Sequence, residues 1–141
     1  MRPIHYIIAL FLAIAIGLSS SGSHPVQGTA GYTGAPGDAF CSTCHSPNAS
    51  INGTVQIGGL PAEIVPGQTY NLTVTITRTA GSPTRGGFQL LVLNGSNQNS
   101  GNLFDVETDT SVKTVSGGKK YSGHEPFRTF PGSGVISWQV D

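Results

Sequence analysis

The stretch from Thr69 to Thr77, TYNLTVTIT, alternates without a break, with Tyr70, Leu72, Val74 and Ile76 on one face and threonine and asparagine on the other. Successive side chains of a strand point to opposite faces, so this pattern predicts a strand with one face buried. Val135 to Val140 repeats it with Ile136, Trp138 and Val140. Between the two, Gly86 to Leu93 is apolar on both faces in its second half, the pattern of a central strand covered on both sides, and Asn94-Gly95 closes it in a turn. Thr54 to Ile57, Leu103 to Val106, Ser111 to Val115 and Lys119 to Tyr121 are weaker strand candidates. Twenty glycines and nine prolines punctuate these runs, and no segment after the first two dozen residues has a helical period. About seven short strands with regular turn signals predict an all-β fold, an antiparallel β-sandwich of the immunoglobulin-like kind. The last strand runs into Asp141 with no closing residues, so at least one more strand is expected beyond it and the chain reads as a C-terminally truncated fragment.

The first residues differ from the rest. Met1 to His5 is a short basic start, Tyr6 to Leu18 is almost unbroken apolar sequence, and Ser19 to Ser23 is small and polar. That layout predicts a secretory signal peptide over residues 1–23, its apolar run being short for a membrane span. Removal leaves about 118 residues, the size of one domain. Within them, residues 24–52 form an irregular arm and residues 53–141 the sandwich, the two making one unit. Seven basic and seven acidic residues give no net charge and no basic stripe, which argues against a nucleic-acid partner. The expected location is therefore secreted, periplasmic or at the cell surface.

The arm carries the chain's two cysteines in CSTCH: Cys41, Cys44 and, directly after, His45. Export bears on them, because outside the cytoplasm a thiol pair is either oxidised or occupied. Three chemistries compete. In the first, both thiols attach covalently to haem c and His45 is the proximal iron ligand. In the second, Cys41 and Cys44 close a small disulfide and His45 is incidental. In the third, zinc is bound, but Cys41, Cys44 and His45 offer three crowded ligands of the four needed, with His24 or His124 as a fourth. A thioredoxin-like redox role lacks the helix and the βαβ pattern it needs.

The only methionine is Met1, which leaves with the signal peptide, so a second iron ligand from the mature chain is a histidine. His124, in YSGHEP, is the candidate distal ligand and His24 the other. To share an iron, His45 and His124 need their ligating nitrogens roughly 4 Å apart, given metal–imidazole bonds near 2.0 Å. Phe40, Tyr121 and Phe127 are the expected lining of such a site. Bis-histidine ligation would favour a low potential and electron transfer. No catalytic constellation stands out. Asp105, Glu107 and Asp109 alternate and could form a calcium site, although a solvated edge explains them more simply. Lys119, Lys120 and Arg85 read as solubilising charge.

YTGAPGDAFCSTCH, NGTVQIGGLPAEIVPGQTYNLTVTIT, RGGFQLLVL and KKYSGHEPF before ISWQV together resemble the bacterial choice-of-anchor V domain, related to the Reeler domain of animal extracellular proteins. The resemblance covers nearly all of the chain after residue 23. It implies a secreted, surface-associated β-sandwich, with Cys41, Cys44 and His45 at the haem-attachment positions and His124 as the late histidine. It also implies further strands and an anchoring signal beyond Asp141. Animal Reeler domains use their cysteines as disulfides in matrix or immune roles, so the resemblance also supports a non-enzymatic adhesion module with a Cys41–Cys44 disulfide. The partner expected is a redox protein in the first case and a surface or matrix ligand in the second.

Overall fold

The computed structural model describes residues 30–45, 48–115 and 117–141, and the signal-peptide reading of residues 1–23 and the candidate His24 lie outside them. The described chain is all-β, an antiparallel sandwich with a single turn of 3-10 helix at Cys41–Thr43. Its strands are β1 (Asn52–Gly58), β2 (Leu72–Ala80), β3 (Arg85–Gly86), β4 (Gln89–Leu91), β5 (Thr110–Thr114), β6 (Lys120–His124), β7 (Arg128–Thr129) and β8 (Val135–Val140). One sheet has the order β1-β2-β8 and the other β4-β6-β5, while β3 and β7 pair at the side.

The alternating patterns dictate the core. Leu72 and Val74 of β2 face inward, and Val74 lies opposite Trp138 in the β2–β8 register. Ile136, Trp138 and Val140 of β8 share that face, where Phe88, Leu90 and Val92 meet them from the second sheet. Trp138 and Val140 are fully buried. Each large side chain so removed from water contributes roughly 1.5–3 kcal/mol, which is what holds two small sheets together.

Three expectations are corrected. The run from Gly86 to Leu93 is not one central strand: it divides at Gly87 and Phe88 into β3 and β4, and β6 is the middle strand of its sheet. Leu103 to Val106 does not form a strand either, although Phe104 exchanges backbone hydrogen bonds with Asp141 and so lines the edge of β8. Strand β6 runs on past Tyr121 to His124. Strand β1 is exposed along its whole length, Val55 being 65% accessible.

The division at Gly87 has a steric cause. A Cβ on Gly86 would come within 2.5 Å of Ile136 Cδ1, and one on Gly87 within 2.2 Å of the His124 ring. Only a chain without side chains at both positions lets β3 cross to β4 against these groups.

Candidate functional site

The CSTCH segment lies on an arm that folds back across the β4-β6-β5 sheet. Locally, Thr33 and Phe40 form an antiparallel bridge, and the Gly34 amide donates to the Ala39 carbonyl. Gly34 has φ +73°, and the Phe40 ring lies so close that a Cβ there would meet it at 2.8 Å. The 3-10 turn follows. The Cys44 and His45 amides both donate to the Cys41 carbonyl, at 3.2 and 3.0 Å, so the backbone is already wound between the two cysteines. No residue of the turn is buried, and Cys41 and Cys44 are unpaired, exposed thiols. His45 is exposed as well.

Tyr32 joins this turn to the sheet. Its N–H donates to Gln89 Oε1 at 3.1 Å, and its carbonyl accepts from the Cys41 thiol at 3.3 Å. The Cys44 thiol beside its phenol raises the Tyr32 pKa, first through their hydrogen bond and then through charge. Both cysteines therefore sit against one tyrosine.

Asp38 fixes the other end of the arm. Its Oδ1 accepts from Lys119 Nζ at 2.8 Å and Tyr121 OH at 2.9 Å, and its Oδ2 from Thr33 Oγ1 at 2.6 Å. The Asp38 side chain is only 3% exposed. Burial by itself would raise its pKa, but the bonds from Lys119, Thr33 and Tyr121 outweigh burial and hold the carboxyl below its ordinary value. Lys119 Nζ also donates to the Pro36 carbonyl. Lys119 is thus a docking residue and not merely solubilising charge. Nothing in the sequence pattern pointed to this group, because Asp38 and Lys119 stand 81 residues apart.

His124 is placed elsewhere. Leu90, Ser122 and Val112 are direct partners across β4, β6 and β5, and Leu90 and Val112 pack on the core. Ser122 and, two residues on, His124 therefore face inward, while Tyr121 and Gly123 face outward toward the arm. The contacts agree. The His124 ring stands 6.4 Å from both Phe88 and Trp138, which are 5.0 Å from each other. Its Nδ1 accepts from the Phe88 amide at 2.8 Å, and its own amide donates to the Phe88 carbonyl at 3.3 Å. The sheet that carries His124 thus separates its ring from the face on which the arm lies, and the structure does not bring His45 and His124 together.

The expected lining divides in the same way. Phe40 is 64% exposed beside Cys41, Tyr121 is buried beneath the arm, and Phe127 lies under the Arg85 guanidinium at 4.3 Å. The acidic trio is not a cation site. Asp109 takes two hydrogen bonds from Arg128, at 2.6 and 2.8 Å, and Glu107 takes one at 3.0 Å. Arg128 also donates to the Ser137 carbonyl and lies over the Trp138 ring, tying β7 to β8. Among the described residues no group of three or more His, Cys, Asp or Glu side chains is arranged to hold a metal ion, and no helix is long and apolar enough to cross a membrane. Compared with protein-family models, curated proteins and solved structures, the chain gives no match.

Proposed function

We propose that this is an exported, non-enzymatic β-sandwich that carries a covalently bound c-type haem at Cys41 and Cys44, with His45 as its iron ligand, for electron transfer or haem binding. The observation that carries this reading is the CSTCH turn: two unpaired, exposed thiols and an exposed imidazole on a preformed 3-10 turn. The donor set suits the group. Each thiol adds across a vinyl group of haem, its sulfur bonding one carbon and its hydrogen going to the other, so no oxidant or reductant is consumed. His45 offers a nitrogen to the iron directly after the second attachment point. The bound haem supplies a one-electron Fe(III)/Fe(II) couple.

The rest of the chain positions the turn. Tyr32 holds both cysteines against the arm, and Asp38 ties the arm to Lys119 and Tyr121. Phe40, exposed beside Cys41, offers an apolar face to a flat ring.

The test is expression with a signal peptide in a host that has c-type maturation machinery, followed by a pyridine haemochrome spectrum. The wild type is expected to show the spectrum of thioether-linked haem, and the Cys41→Ser, Cys44→Ser double variant is expected to be colourless. A colourless wild type with a Cys41–Cys44 disulfide would overturn this reading. It would favour the second one, a surface adhesion module, for which the exposed strand β1, with Val55 and Ile57 open to solvent, is the supporting observation.

A further inference from the structure

Four histidines and one methionine stand in the chain, and of the histidines the structure describes His45 and His124. Their separation by a sheet bears on what completes the iron. The inference rests on the haem reading above. We propose that His124 is a clamp within the sandwich and not an iron ligand, and that haem held at Cys41, Cys44 and His45 keeps its second axial position for a small exogenous ligand, a diatomic molecule or small anion.

Three observations carry the clamp. Strand parity turns His124 inward with Ser122, Leu90 and Val112, away from the outward face where Tyr121 meets Asp38. The half-buried ring packs between Phe88 and Trp138, with Gly87 close enough that a single methyl there would collide with three ring atoms. And His124 bonds the Phe88 backbone from ring and amide alike, so it holds the start of β4 against β6. Moving this imidazole to the arm's side would mean turning β6 over, which would also expose Ser122 and withdraw Tyr121 from Asp38.

Among the described residues, the charged groups that dock the arm are already engaged. Lys119 is bound to Asp38 and the Pro36 carbonyl, and Asp38 is surrounded by three donors. Met1 is the only thioether.

The test uses the mature protein shown by haemochrome assay to carry haem, with carbon monoxide as the probe ligand. The wild type, reduced with dithionite, is expected to give a carbon monoxide difference spectrum at once. His124→Asn, whose amide oxygen can still accept from the Phe88 amide, is expected to give the same spectrum with unchanged affinity. In the haem-free Cys41→Ser, Cys44→Ser background, His124→Asn is expected to lower Tm by about 4 °C, the shift that corresponds to roughly 1 kcal/mol in a domain of about 118 residues. A ferrous wild type that is low-spin and refuses carbon monoxide, but binds it once His124 is replaced, overturns the proposal. The same switch seen only in His24→Ala overturns the open position and gives it to His24. An unchanged Tm in the haem-free variant overturns the clamp. A colourless wild type removes the haem reading itself, and the haemochrome assay identifies that failure before any ligand is added.

Discussion

Residue by residue, the packing makes opposite demands at neighbouring positions. A Cβ on Gly87 would meet the His124 ring at 2.2 Å, and although Gly87 is exposed one of the two must move, so Gly87→Ala is expected to destabilise the fold by about 1 kcal/mol, the low end of the cost of overpacking, as read from urea unfolding. Ser122 is fully buried, and its hydroxyl has no hydrogen-bond partner among the described residues. Ser122→Ala removes a desolvated polar atom and is expected to leave stability unchanged or raise it by up to ~1 kcal/mol in the same assay. The sequence showed RGGF as a motif but not its cause. A glycine needed for close approach looks the same in sequence as one needed for a turn, and the group it accommodates, His124, lies 37 positions further on.

Among the elements, the strands with strong contrast between faces were legible and the others were not. Leu72, Val74, Ile136 and Trp138 are buried as their alternation predicts. Strand β6 was cut short at Tyr121 because Ser122 and Gly123 give no apolar contrast, and with its end went the parity that decides which way His124 points. The hydrogen bonds that Asp38 accepts from Lys119 and Tyr121 help to hold the arm, so its docking depends on pH. The folded-state pKa of Asp38 is depressed, so its contribution is present above the unfolded value of about 3.9 and is lost as pH falls through the lower folded value. Wild-type stability is therefore expected to fall on acidification below about pH 4, whereas Asp38→Asn is expected to show a weaker stability at neutral pH and a flatter acid limb; unfolding followed across that range checks both. Arg128 plays the same part for β7. It grips Asp109 and Glu107 through a planar fork, and the Arg128 hydrogen bonds, the leading cause, hold the Asp109 pKa low. Arg128→Lys cannot reproduce the two bonds to Asp109, and after allowance for the 30% exposure of the Arg128 side chain, a loss of about 1 kcal/mol is expected by urea unfolding.

For the molecule as a whole, the all-β sandwich was readable because short alternating runs with glycine and proline between them leave few other architectures. The CSTCH turn was readable as a motif, and its position on the sheet was not, since pairings such as Tyr32 with Gln89 are invisible to local pattern. The two readings of the turn predict different stabilities. With haem or free thiols, replacing both cysteines by serine in the haem-free protein alters only an exposed turn and is expected to change unfolding free energy by no more than about 0.5 kcal/mol. If a disulfide closed that loop, the same change would cost about 2 kcal/mol. Chemical unfolding of both forms as exported, with no oxidant added, separates the two.

The contacts that dock the arm join residues 57, 81 and 83 positions apart. Each needs its partner in β4 or at β6 to be in place first, and closing loops of that length before the strands pair gains too little to hold. Docking is thus a late event in folding. Before docking, the tethered arm can form only its local contacts, the Thr33–Phe40 bridge and the turn at Cys41–Thr43, and both sulfurs stay open to solvent before docking and after it.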